Sequence, residues 1–326
     1  MSKNGIGRML RVAGALGAIA LAGFLLSRVL GQYSLTEIRE AVASVAPQRI
    51  ALAVVFAAGS YFCLTCFDVL GLRYAGKPLP YWQAALTSFT ALSLGHNIGL
   101  AALSSGAIRF RFYSRFGLTA EQVAKVILFC AITVGLGLIT LAGLALVIRS
   151  DLGETILHLP HWFAGALGFL LLAVPLLYVG LSMLGRARKL RVAAWSFEWP
   201  APTLALAQLL IGPVNFACVA GCLYQALLAV RDVTYPDVVL VYAVANAATI
   251  LSHAPGGIGV IEWVVLTLLP GSLVVGALVV FRCVYYFLPL CLGAIALASS
   301  ELLLRSAKRW GERKEQHTQR VPPLRR

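Results

Sequence analysis

Polar and charged residues gather in short clusters along this chain, and between the clusters lie apolar runs of about 20 residues or more. Runs of that length cross a hydrocarbon core of roughly 30 Å as helices. Full spans are expected at Met9–Leu30, Ile50–Leu72, Val123–Ile148, Trp162–Leu184, Leu204–Val230 and Val274–Leu304. Two apolar segments, Tyr81–Ile108 and Pro236–Pro270, are interrupted by Gly, Pro, Ser, His or Asn. The first contains SFTALSLGHNIGLAALSSGAI and the second ILSHAPGGIGVIEW.

Composition agrees with the pattern: 60% of the 326 residues are hydrophobic and 12% charged, where a soluble domain carries roughly 25% charged residues. The expected fold is an all-α polytopic membrane protein, and a helical bundle of this kind belongs to the cytoplasmic (inner) membrane rather than to an outer-membrane barrel. Met9–Leu30 has no small-residue cleavage site and is long enough to span, so it reads as a retained helix rather than a removable signal.

The net charge of +14 sits at Lys3, Arg8 and Arg11, at Arg186–Arg191 and at Arg305–Arg326. This is positive-inside topology, not nucleic-acid binding. With both termini and the 186–191 loop in the cytoplasm, each interrupted segment makes an even number of crossings and is therefore a hairpin. The first enters from the cytoplasm and the second from outside, either crossing fully or re-entering. The order span, hairpin, span thus occurs at 50–148 and again, inverted, at 204–304, within one membrane domain of residues 1–307 followed by a basic tail, 308–326. Inverted repeats with paired broken helices are a transporter arrangement.

Several patterns lead nowhere. Gly71–Lys77 (GLRYAGK) has phosphate-loop spacing, but Pro78 replaces the Ser or Thr that holds magnesium and a membrane span precedes it. It reads as a turn closing a helix at Gly76. Seven cysteines, including the Cys63–Cys66 pair, lie mostly inside apolar helices as small hydrophobes. The five histidines are too scattered for a metal site, and no cofactor is expected.

The chemistry concentrates in three places. In the second hairpin, Pro255, Gly256 and Gly257 end one helix, and the freed backbone groups require burial in protein or a watery cavity. Gly259 opens the next helix, whose N-terminal amides suit a phosphate or carboxylate. Glu262 follows; it offsets the helix dipole or faces a polar cavity as an anion. In the first hairpin, His96 and Asn97 interrupt the helix, and Ser104, Ser105 and Gly106 are expected to break it again. Arg109 is a phosphate contact or a snorkelling cation, and Arg111 and Arg115 share a helical face at the lipid surface. In the last span, Arg282 snorkels outward or pairs with a buried anion, Glu262 being the obvious partner. Tyr285, Tyr286 and Pro289 are expected to kink that span.

LGHNIG, SSGAIRFRFYSRFGLT, SHAPGGIGVIE and FRCVYYFLPLCLG, in that order, resemble the membrane domain of the lysylphosphatidylglycerol synthase/flippase family, the multiple peptide resistance factors. The resemblance covers the chain from the second span to the last. It implies movement of aminoacylated phosphatidylglycerol between leaflets and resistance to antimicrobial peptides. It also implies a headgroup site on Arg109, Arg111, His96, Asn97, Ser105, His253, Gly256, Gly257, Gly259, Glu262, Arg282 and Tyr285. The chain ends at Arg326 after a basic tail, so the soluble aminoacyltransferase domain of that family is expected to be absent and the protein is not expected to be an enzyme. Its expected partners are phospholipid, anionic lipids and a separate lipid-modifying synthase. The alternatives are a membrane subunit of such a synthase and a small-solute transporter.

Overall fold

The computed structural model describes residues 45–300 apart from 99–100, 158–159, 185–188, 193–194, 253 and 271–273, with a few positions between 36 and 43. Helix α1 (Pro47–Tyr74) begins on a proline, whose missing N–H belongs to a turn that has no intrahelical partner for it anyway. It ends at a left-handed Gly76, φ +72°, so the phosphate-loop lookalike is the expected turn. The first hairpin is α2 (Tyr81–Ile98) and α3 (Ala101–Arg115). Thr119 then caps α4 (Ala120–Ile148): the Gln122 amide donates to its hydroxyl at 3.3 Å while its own amide donates to the Gln122 side chain at 3.0 Å.

A short α5 (Ser150–Leu157) leads to α6 (His161–Leu184). An antiparallel pair, β1 (Lys189–Val192) and β2 (Trp195–Glu198), follows. This small ribbon in the basic loop was not expected from the sequence; it is joined to α1 by the Tyr74 hydroxyl, which donates to the Glu198 carbonyl at 2.6 Å. The second half is α7 (Pro202–Leu227), α8 (Tyr235–Ser252), a 3₁₀ turn (Pro255–Gly257), α9 (Val260–Leu268) and α10, which runs from Val274 through a π turn at Cys283–Phe287 to Ser300.

Among the described residues six helices are long and apolar enough to cross a membrane: α1, α4, α6, α7, α8 and α10. Five are expected spans; the sixth, α8, is the first arm of the second hairpin, and the expected span Met9–Leu30 lies outside the described residues. The chain is an all-α polytopic membrane protein. Helix α9, at nine residues, is about 14 Å long, shorter than the roughly 30 Å hydrocarbon core.

Small residues set the helix crossings. A Cβ on Gly137 of α4 would stand 2.5 Å from the Gly212 carbonyl carbon of α7, so the two backbones touch there. One Cβ on Gly293 would fall 1.8 Å from the Ser93 hydroxyl, which brings the far end of α10 onto α2. Beside the Gly137 crossing, Gln208 of α7 donates to the Phe129 carbonyl at 3.1 Å and to Thr133 at 2.8 Å, and accepts from Tyr178 of α6 at 2.7 Å. Polar groups in an apolar surround are thereby answered within the bundle. Of the spanning stretch of α6 17% is buried, against 72% for α10. Helix α10 is therefore central and α6 peripheral.

The expected break at Ser104–Gly106 does not occur: these residues lie within the continuous α3. Helix interiors accept small residues at modest cost, and here they serve packing. A Cβ on Gly95 of α2 would come 2.9 Å from the Ser105 Cβ, so the two arms close tightly only because α2 has no side chain there.

Candidate functional site

The two hairpin tips meet. A Cβ on Gly256 of the 3₁₀ turn would lie 3.4 Å from the His96 carbonyl near the end of α2. Each hairpin also carries, on its second arm, one charged side chain that is locked to an opposite charge on a neighbouring long helix.

In the first hairpin Arg109 of α3 is buried, and its Nε donates to both oxygens of Asp68 in α1, at 2.9 and 3.2 Å. Its Nη1 donates to Ser105, one helical turn back, at 3.1 Å. Asp68 is fully buried and also accepts from the Cys130 thiol of α4 at 3.2 Å. The Tyr113 hydroxyl, one turn beyond Arg109, is fully buried beside Asp68. A buried carboxylate is stable only with such a counter-charge and donors. Asp68, Cys130 and Tyr113 escaped the sequence reading, although a lone carboxylate inside SYFCLTCFDVL is the signal that marks an intramembrane charge.

In the second hairpin Glu262 of α9 and Arg282 of α10 form a side-on bidentate pair, Nε to Oε1 at 2.6 Å and Nη2 to Oε2 at 2.9 Å. Arg282 also donates from Nη1 to the Gly256 carbonyl and from Nη2 to the Gly257 carbonyl at 2.9 Å. Its guanidinium sits over the Tyr286 ring, 4.6 Å from the centroid. The Glu262 Oε2 accepts in addition from the Gly259 amide at 2.9 Å. Glu262 is thus both of the things its position suggested, a helix-start carboxylate and the partner of Arg282. The backbone that Pro255 and the glycines release is answered by one arginine, and Gly256, Gly257 and Gly259 supply the left-handed φ values, +60°, +61° and +79°, that the reversal needs.

The remaining expected residues are spread around these pairs. The expected interruption at His96 and Asn97 does not occur, since α2 continues to Ile98; Asn97 is buried and donates to the Ser93 carbonyl of its own helix at 2.9 Å. His96 is half-buried, its ring 6.4 Å from that of Tyr61. Arg111 is half-buried and Arg115 exposed at the end of α3. His253 lies outside the described residues. Tyr285 belongs to a polar seam between the halves: its hydroxyl and that of Ser60 in α1 are 3.0 Å apart, and Ser60 donates to Asn215 of α7 at 2.8 Å. The deformation expected from Tyr285, Tyr286 and Pro289 is present as the π turn ending just before that proline. Pro289 has no N–H, so the Tyr285 carbonyl one turn earlier loses its helical donor; the Tyr61 hydroxyl reaches it at 3.4 Å.

Residues 12–293 match the family model described as the lysylphosphatidylglycerol synthase TM region. The chain belongs to that family. This family member is 32% identical over 255 residues to a Synechocystis sp. protein described as uncharacterized protein slr0712, an alignment covering 77% of this chain and 79% of that protein. It is also 32% identical over 261 residues to the Escherichia coli inner membrane protein YbhN, covering 76% of this chain and 79% of YbhN. The matched region takes in both ion pairs and both hairpin tips of this family member.

Proposed function

We propose that this protein is a phospholipid flippase of a bacterial inner membrane, moving phosphatidylglycerol and its aminoacylated form between leaflets, with both termini cytoplasmic. The observation that carries the reading is the meeting of two hairpin tips from inverted halves, each flanked by a buried ion pair. A bare headgroup crosses lipid slowly because its charges lose their hydration. Polar backbone and paired charges at membrane depth lower that barrier while the acyl chains stay in the bilayer. The inner-membrane description of YbhN supports the compartment, and the family match supports a lipid as the passenger.

The two ion pairs have different duties in this reading. Glu262–Arg282 holds the second tip in shape, because Arg282 is committed to a carboxylate, two carbonyls and a ring. Asp68–Arg109 is the exchangeable pair, because Arg109 is held by one carboxylate and one hydroxyl. Arg109 therefore makes the phosphate contact. The test is leaflet redistribution in liposomes carrying labelled phosphatidylglycerol or lysyl-phosphatidylglycerol. Wild type is expected to accelerate both over empty vesicles and Arg109→Ala to lose the acceleration. Folded wild type that moves neither lipid overturns the reading.

A further inference from the structure

We propose that Asp68 is a proton site, so that an anionic headgroup crosses together with one proton. The inference rests on the translocation reading above and adds its ion coupling. Asp68 and Arg109 are buried, and as drawn their charges cancel. A phosphodiester that takes Arg109 away from Asp68 would bring a second anion into the same low-dielectric pocket. Two buried anions facing one cation is an arrangement that proteins avoid by protonating one of them.

The exchange balances simply. The phosphodiester oxygen accepts the Arg109 N–H bonds, the Asp68 carboxylate loses them, and one proton from water joins a carboxylate oxygen. No covalent bond of the lipid changes. The loaded site holds one guanidinium, one phosphodiester and one neutral carboxyl, and its charge is what it was when empty. On release the proton and the lipid leave together.

The groups facing Asp68 fit this use. From α3 come Arg109 and Tyr113, and from α4 Cys130; His96 of α2 lies in the field of Arg109. Cys130 is a weak donor that stays with the carboxyl in either state. The Tyr113 hydroxyl is buried beside the Asp68 carboxylate. A phosphodiester oxygen that displaces Asp68 from Arg109 would arrive beside this hydroxyl, which can donate to it. A lysyl headgroup needs no proton, since its own ammonium takes the place of Arg109 at Asp68.

The experiment is leaflet redistribution by the full-length protein in liposomes, with a pH-sensing dye inside and either symmetric pH or an imposed gradient of about one unit. Wild type is expected to enrich phosphatidylglycerol in the leaflet facing the alkaline side, up to about tenfold for one proton per lipid, with proton entry that requires the lipid. Lysyl-phosphatidylglycerol is expected to equilibrate without enrichment. Asp68→Asn is expected to lose the gradient response and Asp68→Glu to keep it; if Asp68→Asn does not fold, the two-lipid comparison on wild type decides. Movement of phosphatidylglycerol to the same final ratio with and without the gradient overturns the coupling and leaves translocation standing. Equal enrichment of both lipids overturns the exchange at Asp68. Movement of neither lipid overturns the flippase reading and the coupling together.

Discussion

The first and second hairpins are built to the same plan and finished differently. They meet at His96 and Gly256, and both place a charge on the second arm. The second hairpin has its backbone answered by an arginine of the neighbouring α10: two tip carbonyls, a bidentate carboxylate and an aromatic face converge on Arg282. The first answers its backbone locally, as Asn97 does with the Ser93 carbonyl, and leaves Arg109 to a single carboxylate and a hydroxyl. An arginine saturated by protein is a fastener, whereas one with a single strong partner can change partners. In the proposed reading, one hairpin keeps its shape and the other handles the passenger.

Substitution at the two arginines should break this contrast most visibly. Arg282→Gln leaves the Glu262 carboxylate without its counter-charge and two tip carbonyls without their donor, and removing one member of a buried pair costs about 3–5 kcal/mol. Thermal unfolding in detergent should show a larger loss for Arg282→Gln than for Arg109→Gln, while the latter abolishes lipid movement in folded protein; the reverse order of stabilities would end the distinction. Next in size is a double replacement. Asp68→Leu with Arg109→Met fills the site with apolar groups, and such exchanges are close to neutral, within about 1–2 kcal/mol of wild type. The double variant should unfold near wild type yet move no lipid, and residual movement would show that the pair is structural only.

Smaller effects sharpen the picture. Gly256→Ala forces a side chain to φ +60°, at roughly 1–2 kcal/mol, and brings it toward the His96 carbonyl, so the tip contact should loosen measurably in unfolding experiments. The smallest effect lies outside the membrane. Arg149 donates to Asp151 at 2.9–3.0 Å and also bonds Asp237 and Thr234, joining the end of α4 to the start of α8. Hydrogen bonding from Arg149 holds the Asp151 carboxyl down at about 2, from an ordinary 3.8. A depressed carboxyl stabilises above its unfolded value and loses that contribution as pH falls through its folded one. The pair is exposed, so the contribution is small. Unfolding temperatures of wild type and Asp151→Asn should differ slightly at pH 7 and converge as the pH is lowered from about 4 to 2; a constant difference would show that the ion pair contributes nothing.

The spans were legible because a membrane imposes length and composition on every crossing helix. So was the Glu262–Arg282 pair: two lone charges in apolar surroundings, one in each of two neighbouring elements, have few other partners. Asp68 was not matched to Arg109, because the two are 41 residues apart on helices separated by α2 and only packing brings them together. Ser104–Gly106 read as a break because small residues have two uses, ending a helix and letting another approach it. Local sequence does not say which; Gly95 across the hairpin decides it. The β1–β2 ribbon hid in a basic cluster that was informative about topology and silent about backbone pairing.

The touching backbones at Gly137 and Gly212 have an evolutionary consequence. Most contacts between helices leave a trace in related sequences because a larger residue on one side is compensated by a smaller one opposite. Here neither position has a side chain to shrink, so no compensating change exists short of moving a whole half of the molecule. The two glycines should vary little and never together, and a contact search that relies on paired substitutions will be blind at this crossing.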